Sequence, residues 1–442
     1  MTRRTVLFAC AAGAAIAGLA AVIVAARWSD RHAGTVLPEP VLTQERIARG
    51  AYLARLGDCA ACHSVPGKAP FSGGLRMETP IGAIYSSNIT PDPRHGIGNY
   101  KLGDFDRALR YGVAAGHTLY PAMPYSAYSI TRQDDVAALY AYFKAGVPPA
   151  ATPNRAGDIP FPLSMRWPLT VWRWLYAPAP QPFRDAPGAD QALMRGAYLV
   201  QGMGHCGDCH TARGPGLQVR ALGPAGGPDY LAGASIDGWH APSLRNGGRA
   251  TIGAWSESEI AQFLRSGTNR HGSAFGSMSE VIVHSTQHMT QADAAAAARF
   301  LKSLGDKDDG TGYRYDPATS LALRRGDAGA RGARLYLDNC AACHRPDGKG
   351  YERVFPPLAG NPVVATVPAE SLVRIVLAGT ASPRTAASPA QFAMPPFGWR
   401  LSDQEVADVV TFIRASWGNR APPVEARAVG KLRQAGMQGM PP

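Results

Sequence analysis

The strongest constraint on this chain is a five-residue pattern, Cys-x-x-Cys-His, that occurs three times. Two cysteines at this spacing can each form a thioether with one vinyl group of a porphyrin, and the adjacent histidine then lies beneath the ring as an axial ligand of its iron. The three motifs therefore predict three covalently bound haem c groups. The predicted attachment residues are Cys59, Cys62, Cys206, Cys209, Cys340 and Cys343, and the predicted axial histidines are His63, His210 and His344.

Two other uses of paired cysteines fit the pattern less well. Structural zinc sites commonly combine two Cys-x-x-Cys pairs, and three pairs do not divide in that way. A redox dithiol of the thioredoxin type does not need a histidine after each pair. Six of the seven cysteines belong to the motifs, and the seventh is Cys10, so the chain keeps none for a structural disulfide.

Length and charge limit the remaining classes of function. The 442 residues suffice for about three domains of ~100–200 residues. The formal net charge is +12, yet no run of lysine and arginine and no nucleic-acid-binding motif accompanies it, so nucleic acid is not expected as a partner. An anionic membrane surface, haem propionates or an acidic redox partner fits this charge better.

Residues 1–27 have the pattern of an export leader. Arg3 and Arg4 precede an apolar run that ends at Arg27, and the small residues before Arg27 permit cleavage there. The run has 22 residues, which exceeds the ~7–15 of a signal-peptide core and reaches the ~20 that span a bilayer. A cleaved signal and an uncleaved anchor both remain open. In either case we expect the rest of the chain on the periplasmic face of the cytoplasmic membrane.

The three motifs lie in three segments of the same pattern. Each motif follows an Arg-Gly pair in a helix-like stretch and precedes a long loop rich in glycine and proline. A short amphipathic helix then ends at a glycine suited to a left-handed cap. The last helix opens with a capping pair and carries an aromatic residue, which we expect to pack on the Arg-Gly helix of its own segment. The pairs begin at Arg49, Arg195 and Arg331, the cap glycines are Gly112, Gly267 and Gly379, the capping pairs are Thr131 with Asp134, Thr290 with Asp293 and Ser402 with Glu405, and the aromatics are Tyr142, Phe300 and Phe412.

This order of elements predicts an all-α fold of three tandem cytochrome c-like domains. Each domain is expected to wrap around one covalent haem, which fills a core that so short a segment could not fill alone. We place the domains at residues 40–150, 186–306 and 326–420. Residues 151–185, rich in aromatic residues and proline, and residues 307–325 are expected to be linkers, and residues 421–442 a C-terminal tail.

Methionine is the usual sixth ligand of an electron-transferring haem c. Met123 and Met394 each lie beside proline, which stiffens a ligand loop. In the middle segment both Met278 and Met289 follow the motif. Met278 lies 11 residues after its cap glycine, as Met123 does after Gly112, whereas Met289 directly precedes Thr290. We therefore predict Met123, Met278 and Met394 as the axial methionines.

Two further features have open interpretations. Pro356, and less clearly Pro242 and Pro80, are expected to help orient the axial imidazoles, with an ordinary loop role equally open for the last two. The segment from Phe161 to Tyr176 interleaves tryptophans with arginines. This pattern suits a bilayer interface or a subunit interface, and it equally suits a linker packed between two domains.

The chain resembles the triple-haem cytochrome c subunits of membrane-bound dehydrogenases from oxidative bacteria. The resemblance extends from about residue 45 to residue 440 and rests on the motifs together with PIGAIYSSNITPDP, TLYPAMPY, LSMRWPL and FPPLAGNPVV. It is strongest toward the cytochrome subunit of quinoprotein alcohol dehydrogenases, and similar subunits serve flavin-dependent gluconate, sorbitol or fructose dehydrogenases and molybdenum-dependent oxidoreductases.

The resemblance implies a division of labour between subunits. A separate quinoprotein, flavoprotein or molybdoprotein dehydrogenase subunit oxidises the substrate, and the cytochrome passes the electrons to ubiquinone in the membrane. The chain itself is then not catalytic on the organic substrate. The alternatives are a general carrier that feeds a terminal oxidase or reductase, and a haem peroxidase, which needs an open iron and is disfavoured by three candidate methionines.

Overall fold

A computed structural model describes residues 3–31, 33–34, 36–236, 238–247, 251–305 and 312–438 of the chain. The side chains of residues 3–11 and 437–438, and residues 307–311 of the predicted second linker, lie outside this description. The helices among these described residues make up about 45% of the chain. The chain divides into two compact units, residues 1–184 and 185–442.

The first unit contains one motif and begins with a long helix. The helices in its described residues are α1 (Arg3–Arg31), α2 (Gln44–Leu56), α3 (Cys59–His63), α4 (Leu102–Tyr111), α5 (Tyr125–Tyr128), α6 (Gln133–Ala141), which continues as a π-helical turn over Tyr142–Gly146, and α7 (Trp167–Tyr176). Its strands pair as antiparallel hairpins, β1 (Arg76–Thr79) with β2 (Gly82–Tyr85) and β3 (Val113–Ala114) with β4 (His117–Thr118).

The second unit contains the other two motifs. Its helices are α8 (Gln191–Tyr198), continued by a π-helical turn over Leu199–Met203, α9 (Gly207–His210), α10 (Glu257–Ser266), α11 (Ser277–His284), α12 (Gln291–Lys302), α13 (Ala318–Arg324), α14 (Arg331–Asn339), α15 (Ala341–His344), α16 (Pro362–Ala365), α17 (Glu370–Ala378), α18 (Asp403–Ala415) and α19 (Ala426–Gln438), with 3-10 turns at Pro224–Gly226 and Thr286–His288. Its strands pair as β5 (Ala234–Ile236) with β6 (Trp239–Ala241), β7 (Thr268–Asn269) with β8 (Gly272–Ser273), and β9 (Thr380–Ala381) with β10 (Ala393–Met394).

The short hairpins correct the expectation of a purely helical chain. Within the described residues the strands form five separate two-stranded sheets. Three of the hairpins directly follow the predicted cap glycines, which have φ values of +62°, +76° and +72°. A positive φ ends the helix and reverses the chain, and strands of two residues are too short to show a period of two in the sequence.

The core of each segment is built where its Arg-Gly helix crosses its last helix. The crossing is close because each glycine has no Cβ: a Cβ there would overlap a backbone carbonyl oxygen of the partner helix. The predicted aromatic residues pack at these same crossings, so this prediction is confirmed. The glycine, the carbonyl and the aromatic are Gly50, Ala138 and Tyr142 in the first segment, Gly196, Ala296 and Phe300 in the second, and Gly332, Asp408 and Phe412 in the third.

The arginines of the Arg-Gly pairs strengthen the same crossings. Arg49 Nε donates to Asp135 Oδ1 at 2.7 Å, and Arg195 forms two hydrogen bonds with the Asp293 carboxylate. The sequence pattern contained these residues but did not indicate that they pair.

The predicted caps are correct for two of the three last helices. Ser402 and Glu405 form a complete capping box, and the Thr290 hydroxyl accepts from the backbone N–H of Asp293. The cap predicted at Thr131 with Asp134 is wrong, because α6 begins at Gln133 and Arg132 occupies the N-cap position.

A buried carboxylate joins the end of α1 to the rest of the first unit. Asp30 is 4% exposed and accepts hydrogen bonds from the backbone N–H and the hydroxyl of Thr118 and from the hydroxyl of Thr170. It also pairs with Arg173 at 2.9 Å. The indole N–H of Trp174 donates to Ser29 Oγ at 3.2 Å. The last turn of α1, just beyond the predicted leader, is therefore packed against α7 and β4.

Candidate haem sites

Each motif folds as a single helical turn directly after the Arg-Gly helix. The turns are α3, α9 and α15, and the second and third begin just after the first cysteine of the motif. All six motif cysteines are half-buried, and none of them forms a disulfide bond. Burial raises the pKa of the first cysteine in each motif, Cys59, Cys206 and Cys340, to about 12.

The three motif histidines share one hydrogen-bonding arrangement. In each, Nδ1 lies within hydrogen-bond distance of a backbone carbonyl oxygen: 2.7 Å to Ser87 for His63, 2.7 Å to Pro242 for His210 and 2.9 Å to Pro356 for His344. Since a carbonyl can only accept, Nδ1 carries the proton and Nε2 keeps its lone pair. This is the arrangement that fixes the orientation of an imidazole that ligates a metal.

The predicted proline contacts are confirmed in the second and third segments and wrong in the first. Ser87, rather than Pro80, supplies the carbonyl there. The contact uses a backbone atom, which any residue supplies, so no side-chain pattern marked it.

Burial also keeps these imidazoles neutral. Loss of hydration lowers the pKa of His63 and His344, and it lowers the pKa of His210 to about 4. A ligand of iron must offer an unprotonated nitrogen, and the sites favour that form.

Two buried tyrosine hydroxyls could donate hydrogen bonds to a bound haem, which carries its own carboxylate acceptors. The hydroxyls of Tyr85 and Tyr230 are buried and have no hydrogen-bond partner among the described residues. Tyr85 directly follows Ile84 on β2. The guanidinium carbon of Arg155 lies over the Tyr85 ring, 4.1 Å from the centre of that ring. Tyr230 lies beside Gly207 of the second motif. The carboxylates of a bound haem would accept from such donors, so the residues present fit the group.

The predicted methionines lie at related positions after the cap glycines. Met123 lies five residues after Thr118, the last residue of β4, and Met278 lies five residues after Ser273, the last residue of β8. Met394 lies in β10 and packs on the core of the third segment together with Cys340. The longer loop between β9 and β10 explains its different place in the hairpin.

Met289, the alternative in the second segment, has a different environment. Its side chain is 6% exposed and lies just before α12, whose N-cap is Thr290. This place in the fold matches neither Met123 nor Met394.

The described residues hold no cluster of three or more His, Cys, Asp or Glu suited to a bare metal ion. The helical segments, the thiol pairs and the oriented imidazoles instead define a cytochrome that binds haem c covalently. A comparison with protein families agrees, since the cytochrome c family model matches residues 329–417.

Comparison with known proteins extends the match along the chain. The gluconate 2-dehydrogenase cytochrome c subunit of Pantoea cypripedii is 52% identical over 394 residues, covering 88% of this chain and 89% of that protein. The cytochrome c subunit of the quinone alcohol dehydrogenase of Gluconobacter oxydans is 51% identical, covering 88% and 82%. The fructose dehydrogenase cytochrome subunit of Gluconobacter japonicus is 36% identical, covering 89% and 83%. The chain belongs to this family of dehydrogenase cytochrome c subunits.

Proposed function

We propose that the chain is the electron-transfer subunit of a membrane-bound dehydrogenase complex, with three covalent haem c groups between a catalytic subunit and ubiquinone. The observation that carries this proposal is the threefold recurrence of one site: a half-buried thiol pair followed by an imidazole whose Nδ1 faces a carbonyl. Relatives that match along nearly nine-tenths of the chain are themselves dehydrogenase subunits.

In this proposal each domain supplies the same set of ligands. Cys59 and Cys62, Cys206 and Cys209, and Cys340 and Cys343 form the thioethers, and His63 with Met123, His210 with Met278 and His344 with Met394 fill the axial positions. The haem, when bound, supplies a one-electron iron couple. The protein's part is to present neutral imidazoles, exclude water through buried loops and place donors such as Tyr230 near the site. Residues 40–150, 186–306 and 326–420 are the proposed haem domains.

The proposed partners follow from the relatives and from the charge. The catalytic subunit is a dehydrogenase of the alcohol, gluconate or fructose type, and the net charge of +12 favours docking to an acidic surface. Ubiquinone is the proposed acceptor.

The proposed location is the periplasmic face of the cytoplasmic membrane. Among the described residues, Ala12–Arg31 is the one stretch long and apolar enough to cross a bilayer, a test that an export signal also passes. The Asp30 contacts make the last turn of α1 part of the first unit, and they are compatible both with cleavage before Arg27 and with an uncleaved anchor.

Expression with a haem c maturation system tests the proposal. Three haems per chain are expected from the pyridine haemochrome absorbance and from the intact mass. Membranes from the native host should yield the chain together with a dehydrogenase subunit, and the partner's substrate should reduce all three haems in the complex. One or two haems per chain, or a chain that purifies without a dehydrogenase, would contradict it.

A further inference from the structure

The second and third motif-bearing segments contact each other through the loops that hold their proposed axial methionines. The loop toward Met278 begins at Gly267, and a Cβ there would overlap the ring of Pro383, which lies in the loop toward Met394. Beside this contact, Thr385 Oγ1 donates to the carbonyl of Ser266 at 3.3 Å. The two methionine loops are therefore packed on each other.

Trp239 lies between the two segments at a second contact. Its ring centre is 5.5 Å from that of Phe275, and a Cβ on Gly276 would lie 2.8 Å from its indole Cε2. These two residues precede Met278 by three and two positions. On the third segment, the Arg374 guanidinium of α17 lies 4.5 Å from the Trp239 ring centre.

The strand that carries Trp239 also reaches the histidine side of the second site. After β6 the chain continues to Pro242, whose carbonyl faces His210 Nδ1. The backbone N–H of His240 donates to Ser371 Oγ of α17 at 2.7 Å, and that hydroxyl donates back to the His240 carbonyl at 3.1 Å. Strand β6 is therefore held by α17 and is connected both to the His210 side of the second site and to the loop that carries Met278.

We propose that Arg374 and Ser371 of the third segment are positioning residues for the second haem, acting through Trp239 and β6 on the loops of Met278 and His210. Gly276 has a φ of +52° and lies against the indole, so the start of α11 depends on that ring for its place. The inference rests on the proposed function, because it takes Met278 as the second axial methionine.

Arg374→Ala in the full-length, haem-loaded chain tests this proposal. Loss of the cation over the indole should free the Met278 loop, so that reduced protein binds carbon monoxide at one haem of the three. The charge-transfer band of methionine-ligated ferric haem should fall by about one third. Arg374→Lys, which keeps a cation over the ring, should restore most of the band.

Three variants serve as references. Met278→Ala should give the same spectra, and the double variant Met278→Ala with Arg374→Ala should bind no more carbon monoxide than either alone, because both act on one iron. Arg353→Ala removes an exposed arginine of the same segment and should change nothing.

The outcomes separate the positioning role of Arg374 from the assignment of Met278 as axial ligand. If Met278→Ala opens one haem and Arg374→Ala opens none, the cross-segment role is wrong while the ligand assignment stands. If Met278→Ala opens no haem, the ligand assignment fails and the inference with it. Should Arg374→Ala yield no haem-loaded protein, Trp239→Leu, which leaves α17 intact, decides: an unchanged spectrum in that variant would overturn the proposal.

Discussion

Single residues decide how each proposed haem site is oriented. His63, His210 and His344 come from different parts of the chain, yet each presents Nδ1 to a carbonyl within 2.9 Å. A hydrogen bond at Nδ1 fixes both the tautomer and the ring orientation, and it leaves Nε2 for iron. The methionines are less constrained by local pattern, and Met278 differs from Met289 in its place relative to a hairpin and in its lower burial.

Met278→Ala and Met289→Ala form a matched pair that tests this choice. The first should convert one low-spin haem to an open or high-spin form with little loss of stability, because Met278 is only half-buried. The second should leave the spectrum unchanged and lower the free energy of unfolding by about 2–3 kcal/mol, as expected for a methionine removed from a core. Haem absorption spectra and thermal unfolding measure the two effects. If Met289→Ala instead opened a haem and Met278→Ala left the spectrum unchanged, the axial ligand would be Met289.

Among the helices, the crossings at the Arg-Gly pairs are the most repeated feature. Gly50, Gly196 and Gly332 each allow a helix to approach the carbonyl of another, and an aromatic residue packs over each crossing. The crossing helices stand directly before the motif turns. Their spacing therefore sets where the thiols of each site lie.

Gly196→Ala should be strongly destabilising, because its Cβ would overlap the carbonyl oxygen of Ala296 on α12. Overpacking of this kind costs on the order of 2–3 kcal/mol, with a lower melting temperature and slower haem loading of the second unit. Gly436→Ala in α19 is the control, since a Cβ there meets nothing within 4 Å. That control should be neutral or stabilising. A similar loss in both variants would contradict a special role of the crossing, because alanine has the higher helix propensity and Gly436 has no neighbour within 4 Å to overlap.

The capping box of α18 predicts a specific response to acid. Hydrogen bonds from the Ser402 backbone and hydroxyl lower the pKa of Glu405. A carboxylate with a lowered pKa adds stability above its unfolded pKa of about 4.3 and loses it as the pH falls through its folded pKa. Between pH 6 and pH 3, the melting temperature should therefore fall less for Glu405→Gln than for the natural chain. If the melting temperatures of both proteins fell equally with pH, the Glu405 cap would not contribute to acid sensitivity.

The sequence predicts local features well and distant contacts poorly. The cap glycines and the Ser402 cap were predictable, because each depends on residues within one or two turns. The crossing aromatics contact glycines far along the chain, and they were predictable because the same pattern recurs in three segments. The two-residue strands carry no periodicity, and the carbonyl of Ser87 carries no side-chain signal. The contacts of Asp30 join residues 88 and 140 positions apart, and no local pattern indicates such pairs.

At the scale of the whole molecule, the end of α1, just beyond the predicted leader, is part of the folded first unit. Asp30, at the end of α1, binds Thr118 of β4 and both Thr170 and Arg173 of α7. β4 in turn leads to Met123 five residues later. The same α7 exposes Trp174 and Leu175, so the aromatic segment packs on the first unit and also presents apolar surface.

Asp30→Ala should loosen this whole region. It leaves the Arg173 guanidinium buried without its carboxylate, which costs about 3–5 kcal/mol for a buried pair. Hydrogen exchange should speed up across β4 and α7, and trypsin should cut at Arg173 more readily. Asp30→Asn keeps a hydrogen-bond acceptor but not the charge, so its exchange rates should lie between those of the natural chain and those of Asp30→Ala. Unchanged exchange in Asp30→Ala would mean that α1 does not hold the first unit.

The Asp30 contacts also set an order of assembly during export. The carboxylate leaves the translocation channel early, but its partner Thr170 follows 140 residues later. Until α7 emerges, the first unit cannot close around its polar centre. We therefore expect Cys59 and Cys62 to remain open to the haem-attachment machinery while more than a hundred further residues are exported, and the first unit to lock only afterwards.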